Sequence, residues 1–414
     1  MENKERVLLA ACLIKGKNED QFETSVQELH ELTNTAKGHV VKTVTQKRSR
    51  IHPAIYFGEG KIEEIKADVD ALNIDVVVFN DELSPGQLKN LTDHLQVRVI
   101  DRTQLILDIF AQRANTREGK LQVELAQMQY LLTRLHGKGA ELSRLGGGIG
   151  TRGPGETKLE TDRRHIQRRI TEIKRHLANV VNQRGHYRKR RKDNQVFQIA
   201  LVGYTNSGKS TIFNRLTSSE TLEEDQLFAT LDPLTRQIQL PGGFSAIISD
   251  TVGFIQDLPT TLVAAFRSTL EEVSEADFIL HVVDGSNPNY HQHEKTVNQL
   301  LRELNADQIP TLTVYNKEDK MIDFVPNSYP FIKISALNEH DIDRLQTEIE
   351  KVIQTQWKYY QKKVNPDEGR LLNQLQNETI VIGQTFDEHE NTFVLEGYVN
   401  PNHPVYQFIH EKEQ

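Results

Sequence analysis

The sequence predicts a multidomain α/β protein, and three observations lead there. The first hundred residues alternate short apolar runs with helical patterns. Two apolar stripes at coiled-coil spacing then flank a glycine-rich stretch. Further on, an apolar run leads through a glycine-rich loop into a helical pattern at residues 197–216. At 414 residues the chain exceeds one ordinary core, so roughly two to four domains are expected.

The N-terminal elements come first. Residues 7–14 read as a strand, and 20–35 as a helix with Phe22, Val26, Leu29 and Leu32 on one face. Residues 39–45 read as a strand and 61–72 as a helix. The fully apolar run 74–79 fits a strand in a sheet covered on both faces. A helix at 85–95 and a strand at 97–100 complete a small α/β domain over 1–104. The single cysteine, Cys12, lies in the first apolar run; it cannot form an internal disulfide and reads as a buried strand residue. That fits a reducing compartment. No apolar run approaches a membrane span, and residues 1–9 lack the pattern of a secretory signal, so a cytoplasmic protein is expected.

Residues 105–192 change character. Leu121, Leu125, Met128, Leu132 and Leu135 recur at alternating spacings of 4 and 3, and Leu159, Ile166, Ile170, Ile173, Leu177 and Val180 keep that seam after a skipped turn. Two such stripes predict an antiparallel helical hairpin, an arm. Each buried Leu or Ile contributes roughly 1.5–3 kcal/mol, so the seams can hold each other. Between them lies 137–155, with eight glycines, which argues against regular structure there. It also carries Lys138, Arg144 and Arg152. Composition alone leaves a disordered linker and a flexible basic finger open; the rigid seam on both sides favours the finger.

The formal net charge of −8 hides a strong asymmetry. Residues 162–192 hold twelve Lys/Arg against two Asp/Glu, a local balance of +10, with Arg163, Arg164, Arg168 and Arg169 at the start. This is the footprint of a segment facing a polyanion, nucleic acid above all; the bland alternative is a solvated helix face followed by a basic link at 184–192.

The next domain, 193–362, carries the chemistry. Gly203-Tyr204-Thr205-Asn206-Ser207-Gly208-Lys209-Ser210 matches the phosphate-loop pattern and sits between an apolar strand and a helix that takes in Thr211. Backbone N–H groups of such a loop and the helix N-terminus converge on a polyphosphate. Lys209 adds a point charge against the outer phosphates, and the Ser210 hydroxyl can ligate Mg²⁺. Asp250-Thr251-Val252-Gly253 follows the apolar run 246–248; the Asp250 carboxylate can hold Mg²⁺ through water, and the Gly253 N–H can approach a γ-phosphate. Asn316-Lys317-Glu318-Asp319 selects the base. The Asp319 carboxylate accepts from the N1–H and 2-amino groups of guanine, which adenine lacks, worth roughly 5 kcal/mol or more in discrimination. Asn316 braces the loop, the Lys317 stem covers the ring, and Ser335-Ala336-Leu337 offers a backbone N–H to the guanine oxygen. In this order and spacing the motifs specify GTP and GDP. Thr230, with Phe228 beside it, lies between the phosphate loop and Asp250, where a mobile threonine completes the Mg²⁺ shell only when a γ-phosphate is present; Thr221 and Thr235 compete for that role. Residues 363–414 read as a small C-terminal α+β domain with a hairpin of 379–383 and 392–399.

Beyond these motifs the chain resembles the HflX family of translation-factor-like, ribosome-associated GTPases. The resemblance rests on Tyr56-Phe57-Gly58-Glu59-Gly60-Lys61, on residues 108–114 (DIFAQRA) and 119–127 (GKLQVELAQ), and on 146–160 (GGGIGTRGPGETKLE). It covers nearly the whole chain. It implies a Ras-like GTPase domain whose nucleotide motifs fall on 203–211, Thr230, 250–253, 316–319 and 335–337. It also implies binding to the large ribosomal subunit and its RNA, with the N-terminal domain and glycine-rich loop reaching toward the peptidyl-transferase region. Splitting or rescue of stalled and idle ribosomes under stress is the implied task, and a monomer is expected. Ras-like enzymes carry a water-positioning Gln after D-x-x-G; here the residue is Phe254, and an aromatic ring cannot orient water. Slow unassisted hydrolysis, raised by the ribosome, is therefore expected. Asn206 occupies a position that binds an activating K⁺ in some related GTPases; a hydrogen bond bracing the loop is the alternative.

Two rivals differ in class. One is a signalling switch acting through protein partners, distinguished by weak salt dependence of binding. The other is an RNA-remodelling NTPase using the N-terminal half, distinguished by ATP-dependent activity that survives Lys209→Ala.

Overall fold

The computed structural model describes residues 4–142, 154–193, 195–217, 227–256, 267–322 and 324–410. The chain divides into two compact units. One comprises residues 1–183 with 226–232 and 256–267; the other comprises 184–225, 233–255 and 268–414.

The first unit is built on a parallel sheet in the order β2-β1-β3-β4, from β1 (Arg6–Ile14), β2 (His39–Arg48), β3 (Val76–Phe79) and β4 (Arg98–Asp101). All four residues of β3 and six of the nine in β1 are buried, as expected for strands covered on both faces. The helices α1 (Glu19–Thr35), α2 (Glu59–Leu72), α3 (Pro85–Leu95) and α4 (Arg102–Arg113) connect and extend them. Their ends follow local chemistry. Asn18 accepts from the Asp20 and Gln21 N–H groups at the start of α1. Ser84 and Gln87 form a reciprocal capping box on α3, with Pro85 in its first turn. Tyr56 and Phe57 are core residues: both are buried, and the Tyr56 ring meets Phe57 and Phe79 edge-on with centroids 4.8 and 5.0 Å apart. The Tyr56 hydroxyl donates to Asp81 and accepts from the Cys12 N–H. Burial pushes the Cys12 thiol up, so it is a packing residue and not a nucleophile.

The arm follows as α5 (Arg117–Leu142) and α6 (Pro154–Asp193). The seam expected from spacing is present. Leu125, Ile170 and Ile173 are buried together, with Leu121, Met128, Leu132, Ile166 and Leu177 packed around them. Two expectations need correction. Glycine-rich composition suggested irregular structure from 137, yet α5 runs through Leu142 and α6 starts at Pro154. The basic link expected at 184–192 is helical. Arg and Lys are good helix formers, and an established helix adds a residue at little cost, so one glycine inside the run does not stop it. The finger tip, 143–153, with Arg144 and Arg152, lies outside the described residues, as do Thr221 and the side chain of Lys138.

Asp101 roots the arm. Fully buried, it caps α4 through the Gln104 N–H, accepts from the Leu83 N–H, and takes the Tyr130 hydroxyl and the Arg134 guanidinium from α5. The boundary expected after residue 104 falls inside α4.

The second unit holds a six-stranded sheet in the order β10-β9-β8-β5-β7-β6. Its strands are β5 (Gln198–Gly203), β6 (Leu234–Gln239), β7 (Ser245–Asp250), β8 (Phe278–Asp284), β9 (Thr311–Asn316) and β10 (Phe331–Lys333), with only the β6–β7 pair antiparallel. Buried clusters cover both faces. A second antiparallel sheet, β11-β13-β12, is formed by β11 (Lys358–Val364), β12 (Ile380–Asp387) and β13 (Thr392–Val399) around its own core with the helices Gly369–Glu378 and Pro404–His410. It is joined to the larger domain: Ile380 belongs to the larger core, the Val381 N–H donates to the Gly242 carbonyl, and Trp357 packs edge-on against Phe197 and Phe244. The third strand, β11, is an addition to the expected hairpin.

Candidate nucleotide site

The site lies at the C-terminal end of β5, which is flanked by β7 on one side and β8 on the other, the place where open parallel sheets bind ligands. The loop turns into α7 (Lys209–Thr217). Gly208 has φ +94°, and a Cβ there would collide with the Asn316 amide, so the position admits only glycine. Asn206 also takes a left-handed φ of +59°, which asparagine tolerates.

Lys209 is 6% exposed and donates to the Gly203 and Tyr204 carbonyls at 3.1 and 2.8 Å. Burial lowers its pKa to about 8, against the opposing charge of Asp250. A buried cation whose charge is poorly solvated in a dry loop is poised to gain from a polyanion. Thr205 Oγ1 and Ser207 Oγ are buried without a hydrogen-bond partner. Ser210 Oγ donates to Asp250 Oδ2 at 2.9 Å at the end of β7. A hydroxyl and a carboxylate side by side are the hard oxygen donors Mg²⁺ requires, so the residues present fit that ion.

Gly253 is tight as well: a Cβ would lie 2.8 Å from Thr205 Cα and 3.0 Å from Lys209 Nζ. Phe254 ties this turn to the phosphate loop by backbone alone. Its N–H donates to the Gly203 carbonyl, and its carbonyl accepts from the Thr205 N–H at 2.8 Å. The ring itself is 6% exposed, packed with Val202, Val273 and Ile279. It cannot hold water.

The base-selecting loop is braced as expected. Asn316 Nδ2 donates to the Ser207 carbonyl and its Oδ1 accepts from the Ala336 N–H, both at 2.9 Å. Lys317, at φ +64°, donates to the Asn206 carbonyl and pairs with Asp284 at 2.7 Å. Asp319 is exposed on the short turn after β9. The loop 335–337 is partly committed inside the protein: the Ser335 N–H donates to Asp341, and the Ala336 N–H to Asn316. Leu337 is 68% exposed.

Several supporting residues carry no local sequence signal. Asp284 and Asp341 are two. The His293 ring lies flat on Tyr204, centroids 3.8 Å apart and planes 4° off parallel. Burial lowers its pKa to about 4, and burial with the Lys209 charge does the same for His281 on β8. Both rings are neutral behind the loop near pH 7. Glu294, 2% exposed, gathers the Tyr315 and Ser328 hydroxyls and the Asn327 amide, fixing the loop before β10.

Phe228 and Thr230 belong to the first unit. The Phe228 ring, expected among the nucleotide contacts, is 2% exposed and packs edge-on against Phe110 at 4.8 Å. Thr235, the competing threonine, is committed to β6, its hydroxyl 3.0 Å from that of Ser249. On the arm, Arg163 and Arg168 are exposed, Arg164 pairs with Glu160, and Arg169 bridges Glu124 and Glu172. Among the described residues no helix is long and apolar enough to cross a membrane.

Comparison with known proteins agrees with this geometry. Residues 23–111 match the family model described as GTP-binding GTPase N-terminal, 113–191 the GTP-binding GTPase Middle Region, and 198–317 the 50S ribosome-binding GTPase. The GTPase HflX of Alkalihalophilus pseudofirmus is 54% identical over 99% of this chain and 97% of its own. That of Caldanaerobacter subterraneus is 48% identical over 93% and 89%, and that of Escherichia coli 44% over 85% and 84%. With a guanine-nucleotide loop set built as above and identity of this extent along both chains, the protein is a GTPase and belongs to the HflX family.

Proposed function

We propose that this GTPase binds the large ribosomal subunit through its arm and splits or rescues stalled and idle ribosomes under stress. The observation that carries the reading is the arm. Its two helices are locked by a buried seam and rooted on the buried Asp101, while α6 presents Arg163 and Arg168 to solvent. A rigid cationic rod on an otherwise acidic chain suits the deep, narrow, phosphate-lined channels of folded RNA. The match to a model named for 50S binding supports the same partner.

In the chemical step, water attacks the γ-phosphate of GTP in line with the leaving group. Asp319 and the braced Asn316 select guanine. Gly203, Tyr204, Thr205, Asn206, Ser207 and Gly208 present backbone to the phosphates, and Lys209 places its charge against the outer ones. Thr230 and the Gly253 N–H sense the γ-phosphate. Mg²⁺, held by Ser210 and Thr230 with Asp250 behind, would neutralise charge on the phosphate oxygens. With Phe254 turned into the core, nothing at that position orders the attacking water, so turnover of the isolated monomer is slow and the ribosome raises it. Asn206 is the candidate K⁺ ligand; equal rates in Na⁺ and K⁺ dismiss that role.

Cosedimentation with large subunits tests the reading. Binding should require a non-hydrolysable GTP analogue, and should fall by about a thousandfold or more between about 50 and 200 mM salt if about six phosphates are engaged. Binding that ignores nucleotide, or hardly responds to salt, would point to a protein partner instead.

A further inference from the structure

We propose that Asp232 is a positioning residue for GTP turnover: its carboxylate latches the segment carrying Thr230 onto the root of the arm. Asp232 follows Thr230 by two residues. Its Oδ2 accepts from the Asn115 and Thr116 N–H groups at 2.9 and 2.8 Å, and its Oδ1 accepts from the Thr116 hydroxyl at 2.5 Å. Thr116 is itself the cap of α5, its hydroxyl oxygen accepting from the Gly119 N–H at 2.9 Å. The carboxylate thus seats on the N-terminal end of the first arm helix, where a negative charge is favoured.

Gly119 makes room for it. This residue is buried within the first turn of α5, and a Cβ there would collide with the Asp232 carboxylate. Glycine is a poor helix former, so its presence has a steric reason here. The other side of Thr230 is held as well. Phe228, at φ +56°, rests on Phe110, and the Leu227 N–H donates to the Thr35 hydroxyl. An aromatic residue keeps a left-handed backbone only where its surroundings impose it. The second sensing segment is gripped in the same unit. Gln256, three residues beyond Gly253, accepts from Arg102 and donates to Glu28, which form an ion pair at 2.5 Å with 4% and 5% exposure.

The consequence is a coupling. A GTP-bound state must order the Thr230 segment, whereas a GDP-bound state need not. A segment anchored on both flanks enters that order at lower entropic cost. The latch therefore favours GTP over GDP, and by linkage GTP steadies the cap of the arm helix. The inference rests on Thr230 being the γ-phosphate sensor.

The test compares affinities of the full chain for fluorescent GDP and a fluorescent non-hydrolysable GTP analogue. Asp232→Ala and Gly119→Ala should each lower the preference for the analogue by about fivefold or more, within the usual range of coupling between sites. The double variant should lose no more than either single one, because both break the same contact. Asp232→Asn, which keeps one acceptor oxygen, should recover part of the loss. An unchanged or increased preference, or losses that multiply in the double variant, would overturn the latch. Thr230→Ala separates the two layers. If it leaves the preference intact, the sensor assignment fails; if it lowers the preference and Asp232→Ala does not, the latch alone fails.

Discussion

Replacing Asp101 by alanine should loosen the arm at its root without touching the nucleotide site. The side chain is fully buried and serves four donors: the Gln104 and Leu83 N–H groups at 3.0 Å, the Tyr130 hydroxyl at 2.8 Å, and Arg134. Loss of the α4 cap costs about 1 kcal/mol. Leaving the Arg134 guanidinium, 11% exposed, without its counter-charge costs about 3 kcal/mol more. These terms share partners and do not add fully. A net loss of about 3 kcal/mol corresponds to roughly a hundredfold faster amide exchange, if the α4–α5 region opens as a unit. Hydrogen-exchange mass spectrometry on residues 102–135 reads this directly. Asp101→Asn, which keeps the shape and one acceptor, should lose about half as much free energy. Exchange in Asp101→Ala within about threefold of the parent would refute the reasoning, because a buried carboxylate with four donors cannot be that cheap to remove.

Three further expectations follow from the same geometry. Because burial holds Lys209 at about 8, nucleotide affinity should be flat below pH 8 and fall above it as the free protein loses the proton that the phosphates require. The sign for folding is opposite: the unfolded lysine keeps its proton to a higher pH, so this group makes the nucleotide-free protein more stable as pH rises from about 8 toward about 10.5. Isothermal titration and thermal melts across pH 7–10 check both. Asp319→Asn should weaken GTP binding by about a hundredfold or more, since the exchanged amide meets the guanine donors with a donor, and should confer binding of xanthosine triphosphate; equilibrium titration with both nucleotides decides. Ile173→Ala, at a fully buried seam position, should cost about 2–5 kcal/mol locally and raise exchange in both α5 and α6, whereas a change confined to α6 would show that the seam does not bind the helices together.

What the sequence disclosed follows from the range of the interactions involved. The phosphate loop, D-x-x-G and N-K-x-D each concentrate their chemistry in a few consecutive residues, so spacing alone exposes them. The arm seam was equally plain, because a 3–4 repeat of Leu and Ile has few other readings. Asp284 beneath Lys317, Asp341 beneath Ser335, His293 on Tyr204 and Asp101 under the arm were not legible. Each acts on a partner brought in by the fold, over separations such as 33 residues for Lys317 and Asp284, and an isolated Asp or His has no pattern of its own. The helical path of 184–193 is hidden in the sequence for another reason. A polar, basic run resembles a linker in composition, yet its residues favour helix wherever a helix already leads into them. Phe228 shows the limit of motif logic: its position between the phosphate loop and Asp250 suggests a nucleotide contact, but its ring is buried against Phe110.

Subunit separation followed by light scattering puts the central claim at most risk. Intact ribosomes would be mixed with the GTP-analogue-loaded full chain, or with a chain in which residues 146–155 are replaced by a short glycine-serine link. If a guanine-gated arm acts through its tip on ribosomal RNA, the parent lowers the scattering and the replaced chain does not, while both bind the analogue equally well. Equal separation of subunits by the two chains would contradict it.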